Sequence, residues 1–128
     1  MKSLKGFKVL IVDDDPDLRE LVCDDFLLAG ADVAAASSGK EAIVLVTKNN
    51  YDFILSDMRM PNGDGRFLAR EVLKLSGPKP LFFLYSGFND LTEDDLIKLE
   101  VAEVFAKPFA ASKMIDSILT KFKDRIAA

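Results

Sequence analysis

The chain has 128 residues, with 17 Lys and Arg against 21 Asp and Glu, so its formal net charge is −4. At roughly 100–200 residues per domain, this length predicts a single domain over residues 1–128. Hydrophobic residues make up 49% of the chain, which is enough for a core that does not depend on disulfides. The acidic balance argues against direct nucleic-acid binding by this domain, because nucleic-acid binders usually show a basic footprint.

The residue types that are missing exclude several kinds of site. Without histidine, the chain has no Ser–His–Asp or Cys–His catalysis, no histidine-ligated zinc and no phosphohistidine of its own. The single Cys23 cannot form an internal disulfide or a cysteine-based zinc site, which predicts a reducing, cytoplasmic location. No apolar run approaches the ~18–20 residues of a membrane span, and residues 1–10 do not resemble a signal peptide. The remaining chemistry belongs to carboxylates, hydroxyls, amines and a hard metal ion.

The first part of the chain contains two apolar runs of strand length, and a segment of helical spacing follows each. The strands are predicted over residues 8–12 and 31–36, and the first is typical of a buried parallel strand. Asp15 suits the cap of the first helix, Pro16 suits its first turn, and Gly30 suits its end.

The middle of the chain repeats this order. Ser38 and Glu41 have the spacing of a capping box and predict the start of the second helix. The third strand is predicted over residues 53–57, a loop over 58–65, and the third helix over 67–75.

The last part adds two further strand–helix units. The fourth strand is predicted over residues 80–86, Thr92 with Asp95 opens a short fourth helix, and the fifth strand covers 102–106. Apolar residues at helical spacing over 115–126 predict the last helix. Five alternating units with short connections predict an α/β fold, a doubly wound five-stranded parallel sheet with helices on both faces.

Polar side chains stand where four of these strands end. Asp13 and Asp14 follow the first strand, Asp57 ends the third, Ser86 ends the fourth and Lys107 follows the fifth. Ligands of open parallel sheets bind beyond the carboxyl ends of the strands. Neighbouring carboxylates repel unless a cation bridges them, and oxygen-only ligands point to Mg²⁺. Asp57 is then a candidate nucleophile that forms an aspartyl phosphate, with Lys107 and Ser86 at the phosphoryl oxygens.

Each of these residues also has a structural alternative. The acidic turn at 13–15 can be a helix cap in solvent, Lys107 a surface lysine before a proline that starts a helix, and Ser86 a turn residue. A nucleotide-binding alternative is not supported. Ser-Gly-Lys at 38–40 resembles the end of a P-loop, but the earlier glycine of that motif would fall on Ala34.

Four segments together resemble the receiver domain of two-component response regulators, over essentially the whole chain. They are Val-Leu-Ile-Val-Asp-Asp-Asp-Pro at 9–16, Ser-Asp-Met-Arg-Met-Pro-Asn-Gly-Asp-Gly at 56–65, Tyr-Ser-Gly at 85–87 and Lys-Pro-Phe at 107–109. The resemblance implies a flavodoxin-like sheet of order 2-1-3-4-5. It also implies Mg²⁺-dependent phosphorylation by a histidine kinase or phosphotransfer protein, followed by a change in affinity for a partner or output domain.

The resemblance assigns a metal site. Asp57 becomes the phosphoacceptor and a Mg²⁺ ligand, Asp14 becomes a direct ligand, and Asp13 acts largely through water. The backbone carbonyl of Arg59 becomes a further ligand.

The resemblance also assigns a phosphate site. Ser86 and Lys107 contact the phosphoryl group, and Gly87 leaves room for it. Pro61 and Gly65 belong to the loop that shapes the pocket.

Two features bear on switching and on the lifetime of the phosphate. Receivers commonly carry Tyr or Phe three residues before the lysine, whereas this chain has Val104, and Phe105 is expected on the opposite face of the strand. We therefore hypothesise a muted or different switch. The resemblance makes Arg59 and Phe88 the positions that tune dephosphorylation, and a partner contact is the alternative for Phe88.

Two further functions compete with a phosphoaccepting receiver. Aspartyl phosphatases use Asp and Mg²⁺, and Asp13 with Asp15 has their acidic spacing, but the chain leaves little room for a substrate cap and Asp57 would be idle. An inert pseudo-receiver usually lacks an acid or the lysine, and this chain has both. We expect a signalling phosphoacceptor and not an enzyme, a monomer or weak dimer without membrane contact. We also expect no output domain within these residues.

The resemblance also suggests where partners bind. The first helix and the segment 107–109 are the expected kinase-facing parts. The exposed side of the fourth and fifth helices is the expected output face.

Overall fold

A computed structural model describes residues 3–87 and 91–127, with side chains described up to residue 124. Strands and helices alternate along this part of the chain: β1 Lys8–Val12, α1 Pro16–Leu28, β2 Asp32–Ala36, α2 Gly39–Lys48, β3 Phe53–Asp57, α3 Gly65–Leu73, β4 Leu81–Ser86, α4 Glu93–Lys98, β5 Val101–Ala106 and α5 Ala111–Ala127. Within these described ranges, no helix combines the length and the apolar character that a membrane span requires.

The five strands form one parallel sheet of order β2-β1-β3-β4-β5, which confirms the predicted fold. β1 lies between β2 and β3, so the order of the strands reverses there. Ligands of such sheets bind at this reversal, outside the carboxyl ends of the strands. Val12 at the end of β1 pairs with Ser56 near the end of β3. The register therefore brings the residues that follow β1 beside the end of β3.

The two faces of the sheet build two hydrophobic cores, because neighbouring strand residues point to opposite faces. Val9 and Ile11 of β1 lie in the core covered by α1 and α5. Leu10 and Val12 lie in the core covered by α2 and α3. Full burial of a side chain of this kind contributes about 1.5–3 kcal/mol. The strands are thereby held from both faces, which fixes the positions of their ends.

Side chains cap the helices as the sequence predicts, with one difference. Asp15 caps α1 by accepting hydrogen bonds from the amides at 17 and 18, and Thr92 and Asp95 form a reciprocal capping box on α4. Ser38 accepts from the amide of Glu41, but the Glu41 carboxylate accepts from the hydroxyl of the preceding serine. The structure therefore shows the Ser38 half of the predicted box on α2.

Five elements have boundaries that differ from the predictions. β2 begins after Ala31, whose amide closes the end of α1 by donating to Phe26. β4 begins after Pro80, because proline has no amide hydrogen, and the Leu81 amide makes the first bond, to Asp52. β5 begins at residue 101, and α3 runs over Gly65–Leu73 in place of 67–75. α5 begins at Ala111, before the apolar residues that predict it.

Candidate functional site

The candidate site lies at the carboxyl ends of the central strands, where the sheet reverses its order. Asp13 follows β1 and its amide donates to the carbonyl of Ala36 at 3.1 Å. Asp57 is the last residue of β3 and Ser86 the last of β4. Lys107 follows β5, and its amide donates to the Ser86 carbonyl at 3.0 Å. Backbone hydrogen bonds thus join Lys107 to Ser86 and hold Asp13 against the end of β2.

Three of the predicted residues form an acidic cluster. Asp13, Asp14 and Asp57 each offer a carboxylate oxygen, and these oxygens lie within 4.8 Å of one another. Asp13 and Asp57 are buried, whereas Asp14 is exposed. Charges this close repel strongly where water is excluded, unless protons or a cation intervene. Oxygen ligands of this kind suit a hard ion such as Mg²⁺, so the donor set fits the predicted metal.

Asp15 belongs to the helix and not to this cluster. Its carboxylate accepts hydrogen bonds from the amides of Asp17 at 3.0 Å and Leu18 at 3.3 Å, at the N-terminus of α1. The structural alternative of a capping turn is therefore correct for the third aspartate. The first two aspartates of the run contribute to the cluster.

Lys107 brings a positive charge to the acidic cluster. Its Nζ lies 3.4 Å from Oδ1 of Asp57, with the two side chains 28% and 12% exposed. Burial raises the pKa of Asp57, Lys107 opposes that shift, and Asp13 reinforces it. The Lys107–Pro108 peptide bond is cis. A largely buried carboxylate beside one ammonium group and two further acids, with a shifted pKa, is a candidate functional group.

Tyr85 is a site residue that the sequence analysis missed. It lies on β4, is fully buried, and its hydroxyl donates a hydrogen bond to Oδ2 of Asp13. Nζ of Lys107 lies 5.0 Å from the centroid of the Tyr85 ring. Burial, together with Asp13, raises the pKa of Tyr85 far above its usual range, so the hydroxyl remains a donor. One signal was present: a buried tyrosine hydroxyl usually finds a hydrogen-bond partner.

The remaining predicted residues border the site or lie outside the described part. Ser86 is buried at its edge. A Cβ added to Gly87 would meet no heavy atom of the described residues within 4 Å. Arg59 is exposed in the loop after β3. Phe88 lies outside the described residues. The roles of these residues in phosphate binding and tuning stay predictions.

The loop between β3 and α3 folds back against the site. The amide of Gly65 donates to the carbonyl of Met58 at 2.9 Å. A Cβ at Gly65 would lie 2.6 Å from a methyl group of Leu84 and 2.9 Å from the Asp57 carbonyl oxygen. The start of α3 can therefore approach the end of β3 only because residue 65 has no side chain.

The two residues at the predicted switch position point to opposite faces of β5. Phe105 packs in the core covered by α1 and α5 and stacks on Phe83, with ring centroids 5.9 Å apart. Val104 packs against the opposite core, which includes Leu99 at the C-terminal cap of α4. The predicted alternation is confirmed, and the position usually held by an aromatic ring carries a small aliphatic side chain.

The acidic cluster lies at the surface, and a pocket of about 790 Å³ beside it is lined by the loop after β3, including Arg59 and Pro61. A cleft of about 950 Å³ lies at the opposite end of the sheet, and its lining includes Lys8, Tyr51 and Asp52 but none of the predicted site residues. Asp14 and Gly87 are exposed, so the acidic cluster opens directly to the surface. The exposure leaves the carboxylates of the cluster accessible from solution.

Comparisons with known proteins agree with this geometry. The family model of the response regulator receiver domain matches residues 9–119. The chain is 34% identical over 110 residues to the C4-dicarboxylate transport transcriptional regulatory protein DctD of Rhizobium meliloti, covering 85% of this chain and 24% of that protein. It spans less than half the length of this and other curated relatives.

Two solved structures resemble this chain over nearly their whole length. The receiver domain of the Francisella response regulator 1452 has a TM-score of 0.81 and 30% identity, covering 94% of this chain and 99% of that one. The response regulator TrrA of Thermotoga maritima, in complex with Mg²⁺ and BeF, has a TM-score of 0.78 and 26% identity. The coverage is again 94% of this chain and 99% of that one.

Proposed function

Since this chain belongs to the family of response regulator receiver domains, we propose that its 128 residues form one receiver domain that is phosphorylated on Asp57. The observation that carries the proposal is the cluster of Asp13, Asp14 and Asp57, with Lys107 3.4 Å from Asp57. The phosphoryl donor is a histidine kinase or a phosphotransfer protein. The reaction depends on Mg²⁺, and its product changes the affinity of the domain for a partner.

The reaction is a transfer between two side chains. An Oδ atom of Asp57 attacks the phosphorus of a phosphohistidine on the donor, so a P–O bond forms as the P–N bond breaks and the imidazole leaves with the electron pair. This chain has no histidine, so the phosphohistidine is supplied from outside these 128 residues. Lys107 neutralises a phosphoryl oxygen as a point charge, and Ser86 donates its hydroxyl to another.

Mg²⁺ is the expected cofactor of this site. Asp13, Asp14 and Asp57 would hold it, together with the backbone carbonyl of Arg59. When bound, the ion neutralises charge on the phosphoryl oxygens and on the carboxylates. The structural relative TrrA, which was solved with Mg²⁺ and BeF, supports this assignment. Arg59 and Phe88 shield the product from water and thereby set its lifetime.

Phosphorylation shifts the equilibrium between two conformations of the domain. The phosphorylated site favours one of two arrangements of the domain, and a partner that binds this arrangement better is then recruited. The kinase faces α1 and the segment 107–109, and the output partner faces α4, β5 and α5. A cytoplasmic location and a monomeric or weakly dimeric state stay predictions.

Labelling with a small acyl phosphate tests the proposal. The chain is incubated with acetyl phosphate and Mg²⁺, and its intact mass is measured. The wild type and Asp64→Asn are expected to gain one phosphoryl group, because asparagine in place of Asp64 keeps the cap of α3 and this position lies outside the cluster. Asp57→Asn, and the wild type with chelator, are expected to gain none. Equal labelling of wild type and Asp57→Asn would contradict the proposal.

A further inference from the structure

Tyr85 touches both charged halves of the candidate site. Its hydroxyl donates to Asp13 in the acidic cluster, and its ring lies below the Lys107 ammonium, whose Nζ is 5.0 Å from the ring centroid. Contact between an ammonium group and the face of an aromatic ring is attractive. The phosphoacceptor Asp57 lies directly beside Tyr85 in the paired strands β3 and β4.

The position of Tyr85 is strongly determined. The residue is 0% exposed, and its ring packs edge-on against Phe109 with centroids 5.3 Å apart. Its carbonyl accepts a hydrogen bond from the amide of Met58 at 3.2 Å. Backbone and ring are both held by neighbouring elements, so the hydroxyl is presented at a fixed point beneath the acidic cluster.

The hydroxyl in turn determines the position of Asp13. Oδ2 of Asp13 accepts from Tyr85, and Oδ1 accepts from the amide of Asp15 at 3.0 Å. Both oxygens of this fully buried carboxylate therefore have a donor, and each keeps a lone pair for a further ligand. A buried carboxylate that lost one donor would be less well oriented and more costly to keep charged.

We propose that Tyr85 is a positioning residue of this site, which orients Asp13 toward Mg²⁺ through its hydroxyl and supports Lys107 through its ring. The inference rests on the proposed Mg²⁺-dependent function and adds a residue to it. Two substitutions distinguish the contact of the hydroxyl with Asp13 from the contact of the ring with Lys107. Tyr85→Phe removes the hydroxyl and keeps the ring, whereas Tyr85→Leu removes both.

Mg²⁺ affinity is the decisive measurement. Mg²⁺ alone is titrated by calorimetry into the wild type, Tyr85→Phe and the control Tyr51→Phe, whose tyrosine lies at the opposite end of the sheet. Loss of an outer partner of a metal ligand typically weakens binding 10–100-fold. We expect Tyr85→Phe to bind about 10-fold more weakly, with Tyr51→Phe equal to the wild type. Equal affinity of Tyr85→Phe and wild type would overturn the inference, whereas a wild type that binds no Mg²⁺ would overturn the proposed function instead.

The rate of labelling by acetyl phosphate separates positioning from general packing. At saturating Mg²⁺, Tyr85→Phe is expected to regain the wild-type rate, because Lys107 still has its ring. Tyr85→Leu is expected to stay slower at every Mg²⁺ concentration. A defect of Tyr85→Phe that Mg²⁺ does not relieve would contradict the role assigned to the hydroxyl.

Tyrosine fluorescence tests the same contact without changing residue 85. The chain has two tyrosines and no tryptophan, so Tyr51→Phe leaves Tyr85 as the sole tyrosine. Mg²⁺ is expected to change the Tyr85 emission over the same concentrations at which it binds. An emission unaffected by saturating Mg²⁺ would contradict the inference, even where Tyr85→Phe failed to fold.

Discussion

Asp13, Asp14 and Asp15 are chemically identical side chains in three different surroundings. Asp13 is buried, and Tyr85 holds its carboxylate. Asp14 is exposed and contributes to the acidic cluster. Asp15 caps α1. Their order along the chain follows from the end of β1, where the backbone leaves the sheet and turns into a helix.

Substitution of Asp14 is expected to weaken Mg²⁺ binding, whereas substitution of Asp15 is expected to leave it unchanged. Asp14→Asn should weaken Mg²⁺ binding by more than about 10-fold, because it removes a charge from the cluster itself. Asp15→Asn should leave Mg²⁺ binding and stability unchanged, since asparagine caps helices as well as aspartate does. Asp15→Ala should cost about 1 kcal/mol of stability without affecting the metal. Calorimetry and chemical denaturation measure both quantities, and weaker Mg²⁺ binding by Asp15→Asn would contradict these roles.

Asp57 is expected to lower the stability of the fold once it ionises. Burial raises its pKa in the folded state, more than Lys107 lowers it. An acid whose pKa is raised by folding stabilises the folded state at pH values below its pKa in the unfolded chain, about 3.9. This stabilisation is lost as the pH rises through the pKa of the folded state. Without metal, the stability of Asp57→Asn relative to the wild type should therefore increase as the pH rises from about 4 through the folded pKa. Denaturation at several pH values measures this difference, and a pH-independent difference would contradict it.

Single residues also show where sequence reasoning stops. Asp57 and Lys107 were predictable, because one ends a strand, the other follows a strand, and the carboxyl ends of parallel strands meet at one edge. The role of Tyr85 was not predictable from its own strand. Its hydroxyl reaches past β3 to Asp13, which is 72 residues away in sequence and follows β1, and the order of the strands does not show which buried side chains meet.

At the scale of elements, the approach of α3 to the end of β3 depends on Gly65. Gly65→Ala should cost about 1–3 kcal/mol, because its Cβ would clash with Leu84 and with the Asp57 carbonyl oxygen. Gly87→Ala is the matched control, since its Cβ meets open space among the described residues. Chemical denaturation measures both. Equal stabilities of the two variants would show that α3 is not held this closely.

β5 carries Val104 at the position where receiver domains commonly have an aromatic residue. Phe105 is stacked on Phe83 in the core covered by α1 and α5, away from Val104. We therefore expect the ring contacts of Phe105 to persist when beryllofluoride and Mg²⁺ bind. NMR contacts between the rings of Phe105 and Phe83 measure this, with Asp57→Asn as the control. Loss of these contacts on binding would show that an aromatic switch operates here.

Element boundaries were predictable where one residue decides them. Asp15 and Thr92 mark the starts of α1 and α4 by capping chemistry alone. Pro80 was expected inside β4 because it precedes an apolar run, but it cannot donate to a neighbouring strand and the ladder begins at Leu81. β5 starts one residue earlier than predicted, where pairing with β4 shifts register between Phe82 and Phe83.

At the scale of the whole molecule, the topology assembles the site. Alternating strands and helices predict a parallel sheet, but they do not fix the order of its strands, which came from the family resemblance. The observed order places β1 and β3 side by side, with β4 and β5 next in line. Asp13, Asp57, Tyr85 and Lys107 lie far apart in sequence and meet at one edge for this reason.

Under the proposed function, a chain without histidine is the acceptor of the phosphoryl group and not its phosphohistidine donor. In the proposed reaction the donor phosphohistidine comes from outside these 128 residues, and the exposure of Asp14 leaves the acidic cluster accessible to it. The net charge of −4 matters less than the location of three acids opposite one lysine.

Mapping the phosphoryl group to a residue tests this account most directly. The chain is labelled with acetyl phosphate and Mg²⁺, the acyl phosphate is reduced with borohydride, and the peptides are sequenced by mass spectrometry. Reduction converts a phosphorylated aspartate into homoserine. We expect homoserine at position 57, and only when Mg²⁺ is present. Homoserine at another aspartate, or at position 57 without Mg²⁺, would contradict it.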